Sequence, residues 1–391
     1  MREGLPHGHT ASEDQDEDQR RAQGALRLRG GGEGRGETPL AHLPGVRTKD
    51  RGAEVVKFLK REDIPGLLGR LSERFRVYVP VKRAEVVLWR PWREGVEPAL
   101  EHQGTEPPKA VLFPRSETLL RFGYEGKEVE VEETIEAPPT VIFGSRPCDA
   151  RGFLIYDQVF LDEGNPDPYY RARREATTIV TVLCLDPERT CFCSTVGGGP
   201  LDEEGSDLVL LPLEGGYLAK ALTPKGEALL EDGAFVEASK GQLSEAERLR
   251  ERAKMEPLLK LDGIPERFNE SFTSDLWERV SQKCISCGAC TFLCPTCYCF
   301  NITDERTPEG AERLRNWDAC MFYHYTLEAS GHNPRPTKAE RYRNRIGHKF
   351  SYYPSLYEGA FACCGCGRCI KSCPVSLDIR EVLRELVSYG K

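Results

Sequence analysis

No cysteine occurs before Cys148, although the 391-residue chain has 16 of them. Long apolar runs are missing as well. The stretch from Ile179 to Leu185, interrupted by Thr181, is far shorter than the ~20 residues a membrane-spanning helix needs, so any membrane association has to come through a partner. There is no basic excess either: 54 Lys and Arg face 62 Asp and Glu, a net charge of -8. That balance argues against nucleic acid as the main ligand. The glycine run from Gly30 to Gly36 does not spell Gly-x-Gly-x-x-Gly, and Gly197 to Gly199 are not followed by Lys-Ser/Thr. Both common nucleotide cradles are thereby excluded.

What is present is concentrated in the last third. Cys284, Cys287, Cys290 and Cys294 are spaced Cys-x2-Cys-x2-Cys-x3-Cys-Pro, and Cys363, Cys366, Cys369 and Cys373 repeat that spacing. This is the bacterial ferredoxin pattern, in which three thiolates of one run and the fourth of the other hold one 4Fe-4S cluster. A Cys-x2-Cys-x2-Cys loop wraps three corners of a cube, whereas the fourth cysteine points away beyond the loop. The expected ligands are therefore Cys284, Cys287, Cys290 and Cys373 for a first cluster, and Cys363, Cys366, Cys369 and Cys294 for a second. Zinc prefers two Cys pairs separated by a longer loop, which two identical four-Cys runs do not resemble. Sixteen cysteines without a secretory signal also point to metal ligation in a reducing cytosol rather than to disulfides, and hence to a cytoplasmic protein.

Residues 1–50 show no helical or strand period and read as a disordered extension. Residues 51–265 read as an α/β domain. Val55, Val56, Leu59, Ile64, Leu67, Leu68 and Leu71 fall at helical spacing, and strands are expected near Phe75 to Pro80, Glu85 to Trp89, Glu128 to Val131, Val141 to Gly144 and Thr178 to Leu185. A helix from about Gly152 to Leu161, a hairpin at Gly215-Gly216 and a helix at Ser274 to Lys283 capped by Ser274 complete the expectation. Residues 266–391 read as a bacterial-type two-cluster ferredoxin domain with a helical insertion, giving an α+β chain overall.

Four further cysteines, Cys148, Cys184, Cys191 and Cys193, fall in loops after strands, where α/β folds place their sites. They form a candidate third iron-sulfur site, with Asp149 as a substitute ligand. Against this stands the tendency of buried Cys to act as a small hydrophobe, which suits Cys184. Cys297, Cys299, Cys320 and Cys364 are expected to be neighbours of complete ligand sets, and His324 and His348 to be hydrogen-bonding residues. The basic stretch with Lys338, Arg341, Arg343, Arg345 and Lys349 is read as a solvated face or a cationic cover over thiolate clusters, in preference to a nucleic-acid grip.

Arg146-Pro-Cys-Asp-Ala-Arg, Asp167-Pro-Tyr-Tyr, Cys191-Phe-Cys-Ser, Cys294-Pro-Thr-Cys-Tyr-Cys-Phe, Asn333-Pro-Arg-Pro and the two ferredoxin runs are now all in view. Together they resemble the beta, iron-sulfur subunit of soluble sulfhydrogenase-type nickel-iron hydrogenases, within the 4Fe-4S dicluster ferredoxins. They are also similar to the A subunit of anaerobic sulfite reductases. The resemblance runs from about Glu54 to the C-terminus, and Cys364 departs from it. It implies an electron-transfer subunit with two 4Fe-4S clusters and a candidate third, relaying single electrons between a flavin/NAD(P)-binding subunit and the small and large subunits of a hydrogenase. Service in an anaerobic sulfite reductase or another heterodisulfide-reductase-like complex is the alternative. Nickel-iron chemistry needs paired Cys-x-x-Cys ligands near both ends of its subunit, and neither end of this chain carries them, so no catalytic residue is expected here. Sirohaem-linked sulfite reduction wants Cys-x5-Cys followed by Cys-x3-Cys, but six residues separate Cys184 from Cys191.

Overall fold

The computed structural model describes residues 56–125 and 128–390; the extension expected at residues 1–50 lies outside them. Twelve strands run in order: β1 (Val56–Lys60), β2 (Arg76–Arg83), β3 (Val86–Pro91), β4 (Ser116–Glu125), β5 (Glu128–Glu133), β6 (Thr140–Ser145), β7 (Thr177–Val182), β8 (Leu208–Leu213), β9 (Gly216–Ala221), β10 (Phe235–Glu237), β11 (Phe300–Thr307) and β12 (Gly310–Trp317). Eight of them form one sheet in the order β10-β1-β9-β8-β7-β6-β2-β3. Its centre, β2-β6-β7-β8, is parallel, and its margins are antiparallel. Every residue of β6 and β7 is buried, as expected of parallel strands covered on both faces. Alternation does the sorting: Val180, Val182, Leu208 and Leu210 enter one core, while Ile179 joins a second and Val209 and Leu211 a third.

The helical period read across residues 55–71 does not describe one helix. Val56–Lys60 is a strand, and the helix begins at Ile64 with Pro65 in its first turn, where a missing N–H costs nothing. Further on, the helix expected from Gly152 starts earlier, at Pro147, with Arg146 as N-cap. Cys148 therefore sits in a first helical turn rather than in a loop. The helix Leu276–Ser281 has Asp275 at its N-cap with no side-chain cap bond; the Ser274 hydroxyl donates instead to the Ser271 carbonyl at 2.8 Å.

The insertion between the ferredoxin runs holds the expected basic helix, Lys338–Gly347, and also a hairpin that the sequence did not announce. That hairpin, β11-β12, pairs with β4-β5 in a four-stranded sheet of order β11-β12-β4-β5. One sheet thus draws strands from both sides of the division at 265/266. The joint is locked by Arg315 of β12, which is 3% exposed and pairs with Glu117 at 2.6 Å and with Asp167, the N-cap of the helix Pro168–Ala176. Beside it, Phe113, Tyr156, Phe160 and Tyr170 pack against Tyr298, Phe300 and Trp317. The Asp167 and Asn333 motifs are accounted for by such contacts: Asn333 donates to the Tyr323 carbonyl at 2.7 Å and accepts from the Arg335 amide at 3.0 Å.

Candidate iron-sulfur sites

The two ferredoxin runs fold alike because their glycines and sulfur-directed amides recur in register. Ser286 and Gly365, each two residues past the first cysteine of its run, have φ of 55° and 59°, and their amides donate to Cys284 and Cys363 sulfurs at 3.4 Å each. Gly288 and Gly367 follow at φ 74° and 73° and start the single-turn helices Ala289–Phe292 and Arg368–Lys371. Left-handed backbone at these steps turns each loop inward.

Thiols from the two runs interleave. Cys284, Cys287, Cys290, Cys369 and Cys373 line one cavity together with Met321, Tyr342 and Arg345. Burial pushes Cys284 up, as do the neighbouring Cys290, Cys287 and Cys373. Around Cys369, burial again leads; the neighbours are Arg345, Cys366, Cys294 and Cys363. Each set mixes cysteines of both runs. No three His, Cys, Asp or Glu among the described residues are grouped to hold a single metal ion; the first group stands around a cavity instead.

Cations among these thiols show what charge they carry. Lys109, Arg345 and Lys349 are each 3% exposed. Lys109 donates to the carbonyls of Thr291 at 3.4 Å and Cys297 at 2.8 Å. Lys349 donates to the Cys294 sulfur at 3.4 Å, the Thr296 hydroxyl at 2.9 Å and the Ala362 carbonyl at 2.9 Å. The Arg345 Nε has no hydrogen-bond partner among the described residues, yet its charge lies near Cys290, Cys369 and Cys297. Burial works to lower Lys349, but Cys294, Cys297 and Cys363 hold it well above the usual lysine value. Burial carries Lys109 down to about 8 against the pull of Cys297, Cys294 and Cys299. None of the three meets a carboxylate among the described residues, and buried cations need compensating anions. Anionic thiolate clusters fit the donor set and the charge.

The four amino-terminal cysteines also converge. Cys148, Cys184, Cys191 and Cys193 line one cavity of ≈ 380 Å³ at the ends of β6 and β7, with Arg146, Gly365 and Cys366 in its wall. Burial pushes Cys191 up to about 12, with Cys366, Cys193 and Cys184 adding to it. The cavity abuts the second ferredoxin run: the Phe192 amide donates to the Gly365 carbonyl at 2.8 Å, and Gln103 Nε2 donates to the Cys366 carbonyl at 3.1 Å. A side chain at Gly365 would meet the Cys193 amide nitrogen at 2.5 Å. Asp149 is not free to act as a ligand, because it pairs with Arg368 at 2.7 Å, both side chains being 1% exposed, and accepts from the Arg146 amide at 3.2 Å.

Cys297 lies beside Cys294, Cys364 beside Cys366, and Cys299 beside Cys320 and the Tyr325 hydroxyl. His348 is hydrogen-bonded to Tyr298 at 3.0 Å. Of the basic stretch, Arg341, Arg345 and Lys349 are buried: Arg345 and Lys349 lie among thiols, whereas Arg341 donates to the Met321, Arg335 and Pro336 carbonyls and Arg343 stacks on Phe272. Sequence reasoning missed Lys109 and Arg368. Nothing around Pro107-Pro108-Lys109 signals a buried cation, but a charge at Arg368, between Gly367 and Cys369 inside a ligand loop, could have been singled out.

Residues 283–377 match the family described as the 4Fe-4S dicluster domain. The chain is a dicluster iron-sulfur protein with two 4Fe-4S clusters. It is 33% identical over 335 residues to the sulfhydrogenase 2 subunit beta of Pyrococcus furiosus, an alignment covering 84% of this chain and 97% of that protein. It belongs to the family of that subunit. No solved structure matches. Among the described residues no helix is long and apolar enough to cross a membrane.

Proposed function

We propose that this chain is the electron-transfer subunit of a sulfhydrogenase-type complex, relaying single electrons between a flavin/NAD(P)-binding subunit and hydrogenase small and large subunits. The ligands are Cys284, Cys287, Cys290 and Cys373 for the first 4Fe-4S cluster and Cys363, Cys366, Cys369 and Cys294 for the second. The observation that carries this reading is the set of three buried cations, Lys109, Arg345 and Lys349, held among thiols with no carboxylate among the described residues. A bound 4Fe-4S cluster supplies one-electron chemistry at a potential tuned by charge, hydrogen bonds to sulfur and exposure. The chain's own residues orient the thiols through the Ser286 and Gly365 amides, exclude water with Tyr342, Met321 and Ile379, and spread positive charge between the groups through Arg345. Exposed Cys287 and Ile285, the latter 62% accessible, bring the first group to the surface, where a partner can dock.

Cys148, Cys184, Cys191 and Cys193 hold a third cluster in the same reading, extending the path past Cys366 into the α/β part. The test is anaerobic purification of the untagged complex, with iron counting, EPR and identification of the co-purifying chains. About twelve irons per chain support three clusters and about eight remove the third, at four per cubane. Co-purification of a flavoprotein and a nickel-iron subunit supports the relay. A chain that purifies alone and reduces sulfite from a chemical donor overturns it.

A further inference from the structure

We infer that Lys349 sets the reduction potential of the centre held by Cys363, Cys366, Cys369 and Cys294, making it the easier of the two ferredoxin-type centres to reduce. The inference rests on the crossed ligand sets proposed above. Lys349 lies in a π-helical turn, His348–Tyr352, that continues the helix Lys338–Gly347. Such turns are rare and cluster at functional sites, because the extra residue per turn redirects one side chain at a cost in backbone geometry. Here the ammonium is carried into the protein interior, where its three protons go to the Cys294 sulfur at 3.4 Å, the Thr296 hydroxyl at 2.9 Å and the Ala362 carbonyl at 2.9 Å. It thereby ties the tail of one run to Ala362, the residue just before the other.

The Lys349 ammonium, donating to a ligand sulfur, has no counterpart at the first group among the described residues. Among the described residues, the Cys284 and Cys373 sulfurs accept only backbone amides, from Ser286 at 3.4 Å and Leu377 at 3.2 Å. Arg345 lies in the wall of the first cavity, near both Cys290 and Cys369, but its Nε has no hydrogen-bond partner among the described residues. Lys349 lies near Cys294 and Cys363, both assigned to the second centre, and near Cys297 beside Cys294. Reduction adds a negative charge, and a fixed cation donating to a ligand sulfur favours the reduced state. Burial works the other way: Cys294, Cys363 and Cys366 are 7–8% exposed while Cys287 is open to water. The cation prevails because that same burial leaves its charge unscreened at hydrogen-bond distance.

The experiment is an anaerobic redox titration of the full complex followed by EPR, with Cys294→Ser and Cys373→Ser assigning each signal to its centre. In the unmodified protein the higher-potential signal is expected to respond to Cys294→Ser. In Lys349→Met that signal falls by about 59 mV or more, a tenfold or greater change in a one-electron reduction equilibrium, with the other signal unmoved; Lys349→Arg restores most of it. A lower-potential assignment for the Cys294 centre in the unmodified protein overturns the inference even if Lys349→Met fails to load iron. So does Lys349→Met with full iron and unchanged potentials. Fewer than about eight irons in the unmodified chain, or a Cys294→Ser variant that alters the Cys284 centre, would instead defeat the ligand assignment beneath it.

Discussion

Arg368 and Asp149 form the most deeply buried ion pair described, at 2.7 Å and 1% side-chain exposure each. Arg368 lies within the second ferredoxin run, and Asp149 adjoins Cys148 in the first turn of the helix Pro147–Phe160. The pair therefore bolts the second group of thiols to the candidate third site. Removing one partner strands a charge, a loss of about 3–5 kcal/mol. Asp149→Asn or Arg368→Met is thus expected to lower the denaturant midpoint strongly, while the double variant loses less than the sum of the two. A chemical-denaturation series under anaerobic conditions checks both points. Cys294→Ser makes a second residue-scale prediction: damage to the centre held mainly by the Cys363 run, read by EPR. The dicluster domain was legible because its cysteine spacing is local and repeated. Lys109 was not, because its partners Thr291 and Cys297 lie about 180 residues away and no local pattern encodes such an approach.

Among elements, the hairpin β11-β12 decides how the two halves meet. Gly310 allows this, since a Cβ there would lie 1.9 Å from the Phe122 carbonyl oxygen of β4. Gly310→Val should pry β12 from β4, and hydrogen exchange of residues 116–125 and 310–317 should quicken while iron content stays unchanged. Equal exchange in both proteins would refute that role for Gly310. The hairpin escaped the sequence reading because its exposed residues, such as Asp304, Glu305 and Arg306, offer no buried alternation. Its stability comes from partners far along the chain, such as Glu117 against Arg315. The strands β6 and β7, by contrast, were legible as short apolar runs, and the Gly215-Gly216 turn as a hairpin signal. Residues 56–60 were misread because five residues of strand leading into a helix mimic one longer helical period.

For the whole molecule, the cores differ in what they depend on. The largest core of the eight-stranded sheet contains no cysteine, whereas the ferredoxin core includes Cys320 and Cys363 and packs against Cys284, Cys290, Cys299 and Cys369. Stripping iron leaves Lys109, Arg345 and Lys349 buried without their anions, so the region from about Ile264 onward is expected to open while the eight-stranded sheet keeps its protection. Hydrogen exchange before and after anaerobic chelation tests this; uniform loss of protection would contradict it. The shared four-stranded sheet has a further consequence, for the making of the protein. Strand β4 leaves the ribosome some 190 residues before its neighbour β12, so the nascent chain holds out an unsatisfied sheet edge that can template aggregation. Closing that edge requires the segment lying between the two ferredoxin runs, so the β4 edge is covered only after the first of those runs has been made and before the second.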